Sequence, residues 1–185
     1  MFIFLETSFF KMSEIYQPAE DSYFFGEFLK KYLSENSVNS YLDMGTGSGI
    51  LSETVVEFLD KEKALAVDIN SDVVEFVKSK GLNVVLSDLF EKVEGKFDLI
   101  TFNAPYLPLD EREPEDSRIA TTGGKLGDEI SVRFLEEAKN YLNEGGKIFL
   151  LVSSLTPMDK IEKFRPKEVS RKKIDFEDLI IYEIS

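Results

Sequence analysis

The sequence predicts an α/β protein built on a doubly wound, mostly parallel sheet that ends in an antiparallel strand. Three observations support this prediction. Short apolar runs alternate with amphipathic segments of helical periodicity, several of these runs end at Gly, Asp or Asn, and two strand-like runs joined by a tight turn close the chain. We expect a disordered N-terminal extension over residues 1–11, with Met12 as a second candidate start. Residues 12–185 are long enough for one such domain.

The predicted helices and strands alternate along the chain. Apolar residues recur at helical spacing in residues 20–34, 48–59, 71–79 and 128–142. Ser71 is the expected N-cap of the third helix. The predicted strands are residues 40–44, 64–67, 83–86, 97–102, 147–152, 168–176 and 179–184. In sheets of this kind ligands bind beyond the carboxyl ends of the parallel strands, so the candidate site lies there.

The residue types that the chain lacks narrow its chemistry. It contains no cysteine and no histidine. Disulfides, thiolate nucleophiles, Ser-His-Asp triads and Cys- or His-based zinc sites are therefore excluded, and we expect no metal site. The net charge of −13 disfavours a nucleic acid partner. No run approaches the roughly 20 apolar residues of a membrane helix, and we expect a cytoplasmic protein.

Glycine or acidic residues mark the ends of three successive predicted strands. The first strand leads into Asp-Met-Gly-Thr-Gly-Ser-Gly, which contains Asp43, Gly45 and Gly47. Glycines let the backbone approach a ligand closely, and the next helix presents free N–H groups. Asp68 ends the second strand, where a carboxylate can accept both hydroxyls of a ribose. Asp88 follows the third, where it can address an adenine edge. Such glycine turns occur in dinucleotide enzymes and in methyltransferases.

The fourth predicted strand ends in Asn103, Ala104, Pro105 and Tyr106. This segment resembles the Asn-Pro-Pro-Tyr motif of the amino-methyltransferases that modify planar nitrogens. In that family the Asn side chain and a backbone carbonyl accept hydrogen bonds from the target NH2 group, and the aromatic ring stacks on the flat substrate. Asn103, Pro105 and Tyr106 are the implied catalytic residues, and all four are implied to bind substrate. Ala104 departs from the family's Pro, and the loss is one of rigidity.

Two further segments resemble the archaeal and eukaryotic branch of the HemK-like protein glutamine methyltransferases. Residues 16–22, Tyr-Gln-Pro-Ala-Glu-Asp-Ser, are similar to its Tyr-x-Pro-x-Glu-Asp-Ser/Thr element, and residues 123–127 to its Gly-Gly-x-x-Gly segment. The resemblance implies a seven-stranded, Rossmann-like class I methyltransferase fold that uses S-adenosylmethionine. The implied substrate is the glutamine of a Gly-Gly-Gln motif in a class I translation release factor.

The resemblance also implies cofactor contacts and a partner. The implied contacts are Ser22 on the first helix, Asp43 and Gly45 at the methionine portion, Gly47 in the same turn, Asp68 at the ribose, Asp88 with Leu89 at the adenine, and Asn103. Family members of this type work with a small zinc-binding activator subunit, which implies a heterodimer. The predicted edge strand 83–86 is the candidate surface for that subunit. The acidic loop 107–127 is expected to close over the substrate or to contact a basic partner.

Four other functions stay open from the sequence. An N6-adenine methyltransferase shares the motif at 103–106, but the negative charge disfavours a polyanionic substrate. A lysine methyltransferase would need a base to deprotonate the amine. A nicotinamide-dependent oxidoreductase would leave the motif at 103–106 without a role. A binding module without turnover is the fourth alternative, and Ala104 keeps it open.

Overall fold

The computed structural model describes residues 18–109 and 121–185. The predicted extension over residues 1–11 lies outside the described residues, as do Tyr16 and Gln17 of the segment 16–22. Residues 110–120 of the predicted substrate loop also lie outside them. The remaining ranges include every residue that the sequence analysis assigned to the site.

The described residues form a seven-stranded sheet. Its strands are β1 Tyr41–Met44, β2 Ala64–Asp68, β3 Val84–Leu86, β4 Phe97–Asn103, β5 Leu142–Ser153, β6 Lys167–Ile174 and β7 Glu177–Ile184. They lie in the order β3-β2-β1-β4-β5-β7-β6. The pairs among β1 to β5 are parallel, and β7 pairs antiparallel with both β5 and β6. The predicted mostly parallel sheet with an antiparallel C-terminal strand is confirmed, and β3 is an edge strand as expected.

The helices follow the predicted order with shifted ends. They are α1 Glu20–Glu35, α2 Ile50–Val55, α3 Ser71–Ser79 and α4 Glu129–Ala138. The prediction of one helix over 48–59 was wrong at both ends. Gly49, at φ 82°, delays the start of α2 to Ile50. Beyond Val55 the amides of Glu57 and Phe58 donate to the carbonyls three residues earlier, so the α-helical pattern does not continue to residue 59. The N-cap of α3 is Asn70 and not Ser71, since the Asn70 side chain accepts a hydrogen bond from the amide of Asp72.

The strand β5 is longer than predicted. It begins at Leu142, so Gly145 and Gly146, which were expected to precede the strand, lie within it. Gly145 has a φ of 76°, and the register between β4 and β5 shifts between Phe97 and Leu99. The glycines therefore mark an irregularity inside the strand and do not mark its start.

Helices cover both faces of the sheet. Neighbouring strand residues face opposite sides: Leu42 packs in one core cluster with Phe134 of α4, whereas Tyr41 packs in a second cluster with Phe25 of α1. This confirms the doubly wound arrangement. None of the helices in the two described ranges is both long and apolar enough to cross a membrane.

Candidate active site

A cleft of about 420 Å³ opens at the carboxyl ends of the parallel strands, a volume within the usual range for small-molecule sites. Almost all of the predicted site residues line it. They are Ser22, Gly45, Gly47, Asp68, Asp88, Leu89, Asn103, Ala104, Pro105 and Tyr106. The parallel sheet therefore gathers residues that are far apart in the sequence, and Asp43 alone of the predicted set does not line the cleft.

Asp43 lies beneath the glycine turn and is bonded within the protein. Its carboxylate accepts hydrogen bonds from the hydroxyls of Thr46 and Ser52 at 2.7 Å each and from Thr101 at 3.3 Å. Only 1% of the residue is exposed. Burial raises the pKa of this carboxyl to about 6, although the three hydroxyls act in the opposite direction. Asp43 thus joins the turn, α2 and β4. The sequence shows only an acidic residue near the end of a strand, and this does not indicate whether its side chain lies beneath the turn or in the cleft.

The glycine turn after β1 requires glycine for two reasons. Gly45 has a φ of 60° and Gly47 a φ of 52°, a region that side chains disfavour. A Cβ on Gly45 would also lie 2.9 Å from the ring of Phe102. The turn is held to β2 by the bond from the Thr46 amide to the Val67 carbonyl, at 2.9 Å. Its backbone can therefore lie close to a ligand in the cleft.

Asp68 ties the end of β2 to this turn. One carboxylate oxygen accepts from the Gly47 amide at 3.0 Å, and the other accepts from the Asn70 amide at 2.9 Å. Burial raises the pKa of Asp68 above its usual value. A carboxylate can accept about four hydrogen bonds, so capacity remains for the hydroxyls of a ligand. Unlike Asp43, Asp68 lines the cleft.

Asp88, the acidic residue that follows β3, forms an ion pair that the sequence analysis did not predict. Arg133 of α4 lies 3.1 Å from the carboxylate of Asp88, and both residues line the cleft. The next residue, Leu89, has a φ of 45°, which turns the chain sharply after Asp88. Ile69, after Asp68, also lines the cleft while 56% exposed. In the sequence, nothing distinguished Arg133 from an ordinary helix residue or Ile69 from an ordinary turn residue, so neither was predicted to line the site.

Asn103, at the end of β4, has one satisfied and one unsatisfied end. Its amide nitrogen donates to a carboxylate oxygen of Asp21 at 3.2 Å and lies 3.5 Å from the hydroxyl of Ser22. Its Oδ1 atom is buried and has no hydrogen-bond partner among the described residues 18–109 and 121–185. A buried acceptor without a partner costs stability, and such atoms are rare. Asn103 lines the cleft, and Oδ1 is the side-chain acceptor of this residue that no hydrogen bond within the described ranges uses.

Residues 104–106 form the wall next to Asn103. Ala104 is 2% exposed, and Pro105 and Tyr106 are half-buried. Burial, with the carboxylates of Asp21 and Glu177, raises the pKa of Tyr106 well above its usual value. The Tyr106 hydroxyl is therefore neutral at physiological pH, and its ring is a flat surface suited to a planar group.

The Gly-Gly-x-x-Gly segment supports this wall from behind. The Leu107 amide donates to the Thr121 carbonyl, and the Gly123 amide donates to the Leu107 carbonyl, both at 2.9 Å. A Cβ on Gly123 would collide with the carbonyl oxygen of Pro105, and one on Gly127 would lie 2.5 Å from that of Tyr106. Glycine is therefore required where the segment packs on the backbone of residues 105–107.

Comparison with protein families agrees with this geometry. Residues 25–177 match the family described as the methyltransferase small domain. The match covers most of the chain and includes β1 to β6. It also includes the glycine turn, Asp68, Asp88 and the segment 103–106.

Three curated relatives are similar in sequence. The chain is 40% identical over 182 residues to a Methanocaldococcus jannaschii protein provisionally named protein N5-glutamine methyltransferase, with 91% of this chain and 90% of that protein covered. It is 34% identical to the release factor glutamine methyltransferase of Rhodopirellula baltica, with 70% of this chain and 49% of that protein covered. It is 28% identical to the mouse methyltransferase HEMK2, with 75% and 71% covered. The chain thus spans about half the length of the bacterial relative.

Solved structures of methyltransferases share the fold. The ribosomal protein L11 methylase of Lactobacillus delbrueckii subsp. bulgaricus superposes with a TM-score of 0.65 at 18% identity, with 91% of this chain and 80% of that chain covered. A 16S rRNA N2 G1207 methyltransferase of T. thermophilus, in complex with AdoMet and guanosine, has a TM-score of 0.63 at 18% identity, with 91% and 44% covered. At these identities the likeness concerns the fold alone.

Proposed function

This chain belongs to the methyltransferase small domain family, and we propose that it methylates the side-chain amide of a glutamine in a protein. The substrate proposed is the glutamine of the Gly-Gly-Gln motif in a class I translation release factor. The reaction is transfer of one methyl group from S-adenosylmethionine to the amide nitrogen. Two of the three relatives described above carry glutamine methyltransferase names, which supports this choice.

The observation that carries the proposal is the unsatisfied Oδ1 atom of Asn103. A primary amide presents two N–H donors and needs acceptors to hold them. Asn103 Oδ1 is a buried acceptor at the cleft, and the backbone carbonyl of Ala104 is the neighbouring acceptor that the Asn-Pro-Pro-Tyr likeness assigns to the second hydrogen. Binding of the substrate amide would satisfy the buried atom, so the cost of leaving it unpaired is relieved in the complex.

The wall at residues 104–106 orients the same group. An amide nitrogen is a weak nucleophile because its lone pair is delocalised into the carbonyl. Two acceptors that hold its hydrogens, with the Tyr106 ring against its plane, favour a pyramidal nitrogen whose lone pair points to one side. When bound, S-adenosylmethionine supplies a methyl group on a positively charged sulfur, and transfer to the nitrogen releases one proton. No histidine is needed for this chemistry, since the methyl donor is already reactive and the protein mainly orients the amide nitrogen towards it.

The opposite end of the cleft fits the cofactor. The glycine turn brings bare backbone to the cleft at Gly45 and Gly47, and Asp68 retains acceptor capacity for ribose hydroxyls. Asp88, Leu89 and Ile69 line the region proposed for the adenine. Ser22 reaches the cleft from α1. Apart from Ser22, the residues proposed for the cofactor therefore follow β1, β2 and β3, and those proposed for the substrate follow β4, which pairs with β1.

Charge supports a protein substrate over a nucleic acid. The chain has a net charge of −13, and a phosphate backbone would be repelled unless basic residues clustered near the cleft. Arg133 is the one Lys or Arg among the described cleft residues, and it is paired with Asp88. We also propose a cytoplasmic location, where release factors act.

We propose in addition that a small zinc-binding activator subunit pairs with the edge strand β3. The support is physical: β3 is an edge of the sheet, and Leu86 on it is 39% exposed. Edge strands with exposed apolar side chains favour association. If the purified chain alone is monomeric and as active as in the presence of its candidate subunit, this part of the proposal fails.

A methyl-transfer assay with three acceptors tests the proposed substrate. The chain, with and without its candidate subunit, is incubated with methyl-labelled S-adenosylmethionine and a release factor, its Gly-Gly-Ala variant, or DNA. We expect label in the release factor and none in the variant or in DNA. Label in DNA alone would favour an N6-adenine methyltransferase, because an adenine NH2 group can use the same acceptors. Equal label in both release factors would point to another residue, such as lysine.

A further inference from the structure

We propose that Asp21 is a positioning residue that fixes the orientation of the Asn103 side chain. Asp21 belongs to the segment 16–22, in which the family likeness assigned a role to Ser22 alone, and the motif at 103–106 assigned none to Asp21. Its catalytic consequence rests on the proposed function, whereas its effect on Asn103 does not. Asp21 lies in the first turn of α1, is 6% exposed and lines the cleft.

The two carboxylate oxygens of Asp21 contact different elements. One accepts from the backbone amide of Ser22 at 2.6 Å and from the Ser22 hydroxyl at 3.2 Å. The other accepts from the amide nitrogen of Asn103 at 3.2 Å. The start of a helix favours a negative charge through its free N–H groups and its dipole. The carboxylate is therefore anchored to α1 on one side and holds β4 on the other.

This contact decides which end of the Asn103 amide remains unpaired. A side-chain amide has a donor end and an acceptor end of nearly the same size, so packing alone selects between them weakly. A carboxylate can only accept. If the amide were turned over, Asn103 Oδ1 would face an Asp21 oxygen, and two acceptors would oppose each other. Asp21 thus holds the nitrogen towards α1 and leaves Oδ1, the acceptor that the reaction requires, for the substrate.

The same contact strengthens that acceptor. A hydrogen bond from an amide to a carboxylate is charge-assisted and polarises the amide, which increases the negative charge on its oxygen. Positive charge develops on the target nitrogen as it gains the methyl group. A stronger acceptor at Asn103 stabilises that charge more in the transition state than in the bound substrate, which is the condition for a higher kcat.

Asp21→Asn is the main test because the change preserves shape. If the introduced amide gives its oxygen to the Ser22 N–H, its NH2 group faces residue 103, and the Asn103 amide must turn over to accept. We expect kcat on the release factor to fall about 10- to 100-fold, with the cofactor Kd changed by less than about 3-fold. Glu27→Gln is the matched control: it removes the same charge from the same helix, at an exposed side chain outside the segment 16–22, and should leave kcat unchanged.

A second readout does not depend on activity. The side-chain NH2 signals of Asn103 are identified by NMR as those absent from Asn103→Ala, and their exchange with solvent is followed. In Asp21→Asn we expect this exchange to accelerate several-fold as the NH2 group turns to the cleft, with the Glu27→Gln spectrum like that of the wild type. Unchanged exchange and unchanged kcat would overturn the proposal. If the wild type labels no glutamine while the exchange still changes, the proposed function fails and the role of Asp21 in orienting Asn103 stands.

Discussion

The two ends of the cleft use polar residues in opposite ways. At the glycine turn, Asp43 and Asp68 are bonded to hydroxyls and backbone amides of the protein itself. At the end of β4, Asn103 keeps one buried acceptor without a partner in the described ranges. At the first end the carboxylates are bonded within the protein, and Asp68 keeps capacity for the hydroxyls of a ligand. At the second end the buried acceptor gains a partner only when a ligand binds. The distinction predicts that substitutions at the two ends will separate binding from turnover.

The largest separation is expected for Asn103→Ala. Loss of the acceptor should reduce kcat about 100- to 1000-fold, comparable to the removal of one preorganised group that stabilises transition-state charge. Cofactor affinity should change by less than about 3-fold, because the acceptor serves the substrate. Calorimetric titration of the cofactor and a methyl-transfer assay measure the two quantities. Equal losses in both would assign Asn103 to the cofactor pocket and abolish the proposed contrast between the two ends.

Asp68→Ala should give the opposite pattern. It removes the acceptor that holds the Gly47 and Asn70 amides. It also removes the carboxylate proposed to bind the ribose. Hydrogen bonds to a charged group contribute about 1.5 to 3 kcal/mol, so the cofactor Kd should rise about 10- to 100-fold. With saturating cofactor, kcat should recover to within a few-fold of the wild type. A kcat that stays low at saturation would show that both ends act on turnover.

Gly127→Ala tests the support of the substrate wall. Gly127 has a φ of 93°, and a Cβ there would lie 2.5 Å from the carbonyl oxygen of Tyr106. Gly95→Ala is the control, since Gly95 has a φ of 88° and a Cβ there meets nothing within 4 Å. Urea unfolding should show Gly127→Ala less stable than Gly95→Ala by about 1 to 3 kcal/mol. Only Gly127→Ala should lower kcat. Equal effects of the two changes would mean that left-handed strain alone matters and that the contact with Tyr106 does not.

Asp43→Asn should have the smallest effect on catalysis and a distinct effect on stability. The folded pKa of Asp43 is about 6, above its usual 3.8. Between about pH 4 and pH 6 the folded protein keeps this proton while the unfolded chain loses it. The contribution of Asp43 to the free energy of unfolding therefore falls as the pH rises through that window and stays low above it.

The variant cannot ionise, so its stability relative to the wild type should increase from pH 4 to pH 6, by at most about 3 kcal/mol. Urea unfolding of both proteins at several pH values measures this difference. A difference that does not change with pH would show that Asp43 titrates alike in both states.

The sequence predicted the fold because its signals are local and periodic. Apolar spacing located the helices, and short apolar runs located the strands. It failed where a single contact decides: the Asn70 side chain caps α3 in place of Ser71, and Gly145 lies inside β5. The N-cap of α3 and the start of β5 depend on individual hydrogen bonds and on strand register, which cannot be read from residue types and their spacing.

The sequence also predicted most of the residues that line the candidate site, but not the contacts between them. The parallel sheet brings ten of the eleven predicted residues to one cleft. Asp43 could not be told from Asp68 because both are acids at strand ends, and only the fold shows that one faces hydroxyls beneath the turn. Arg133 and the contact of Asp21 with Asn103 depend on packing between distant elements. Pairings of that kind have no signature in a single sequence.

The most direct test of the central claim is to locate the transferred methyl group. After incubation of a release factor with the chain and S-adenosylmethionine, tandem mass spectrometry of the peptide that contains the Gly-Gly-Gln motif assigns the modified residue. We predict a single methyl group on the glutamine side chain, formed by the wild type and reduced to trace amounts by Asn103→Ala. A methyl group on a lysine or on the peptide backbone, or an equal yield from Asn103→Ala, would contradict the role assigned to the unpaired acceptor.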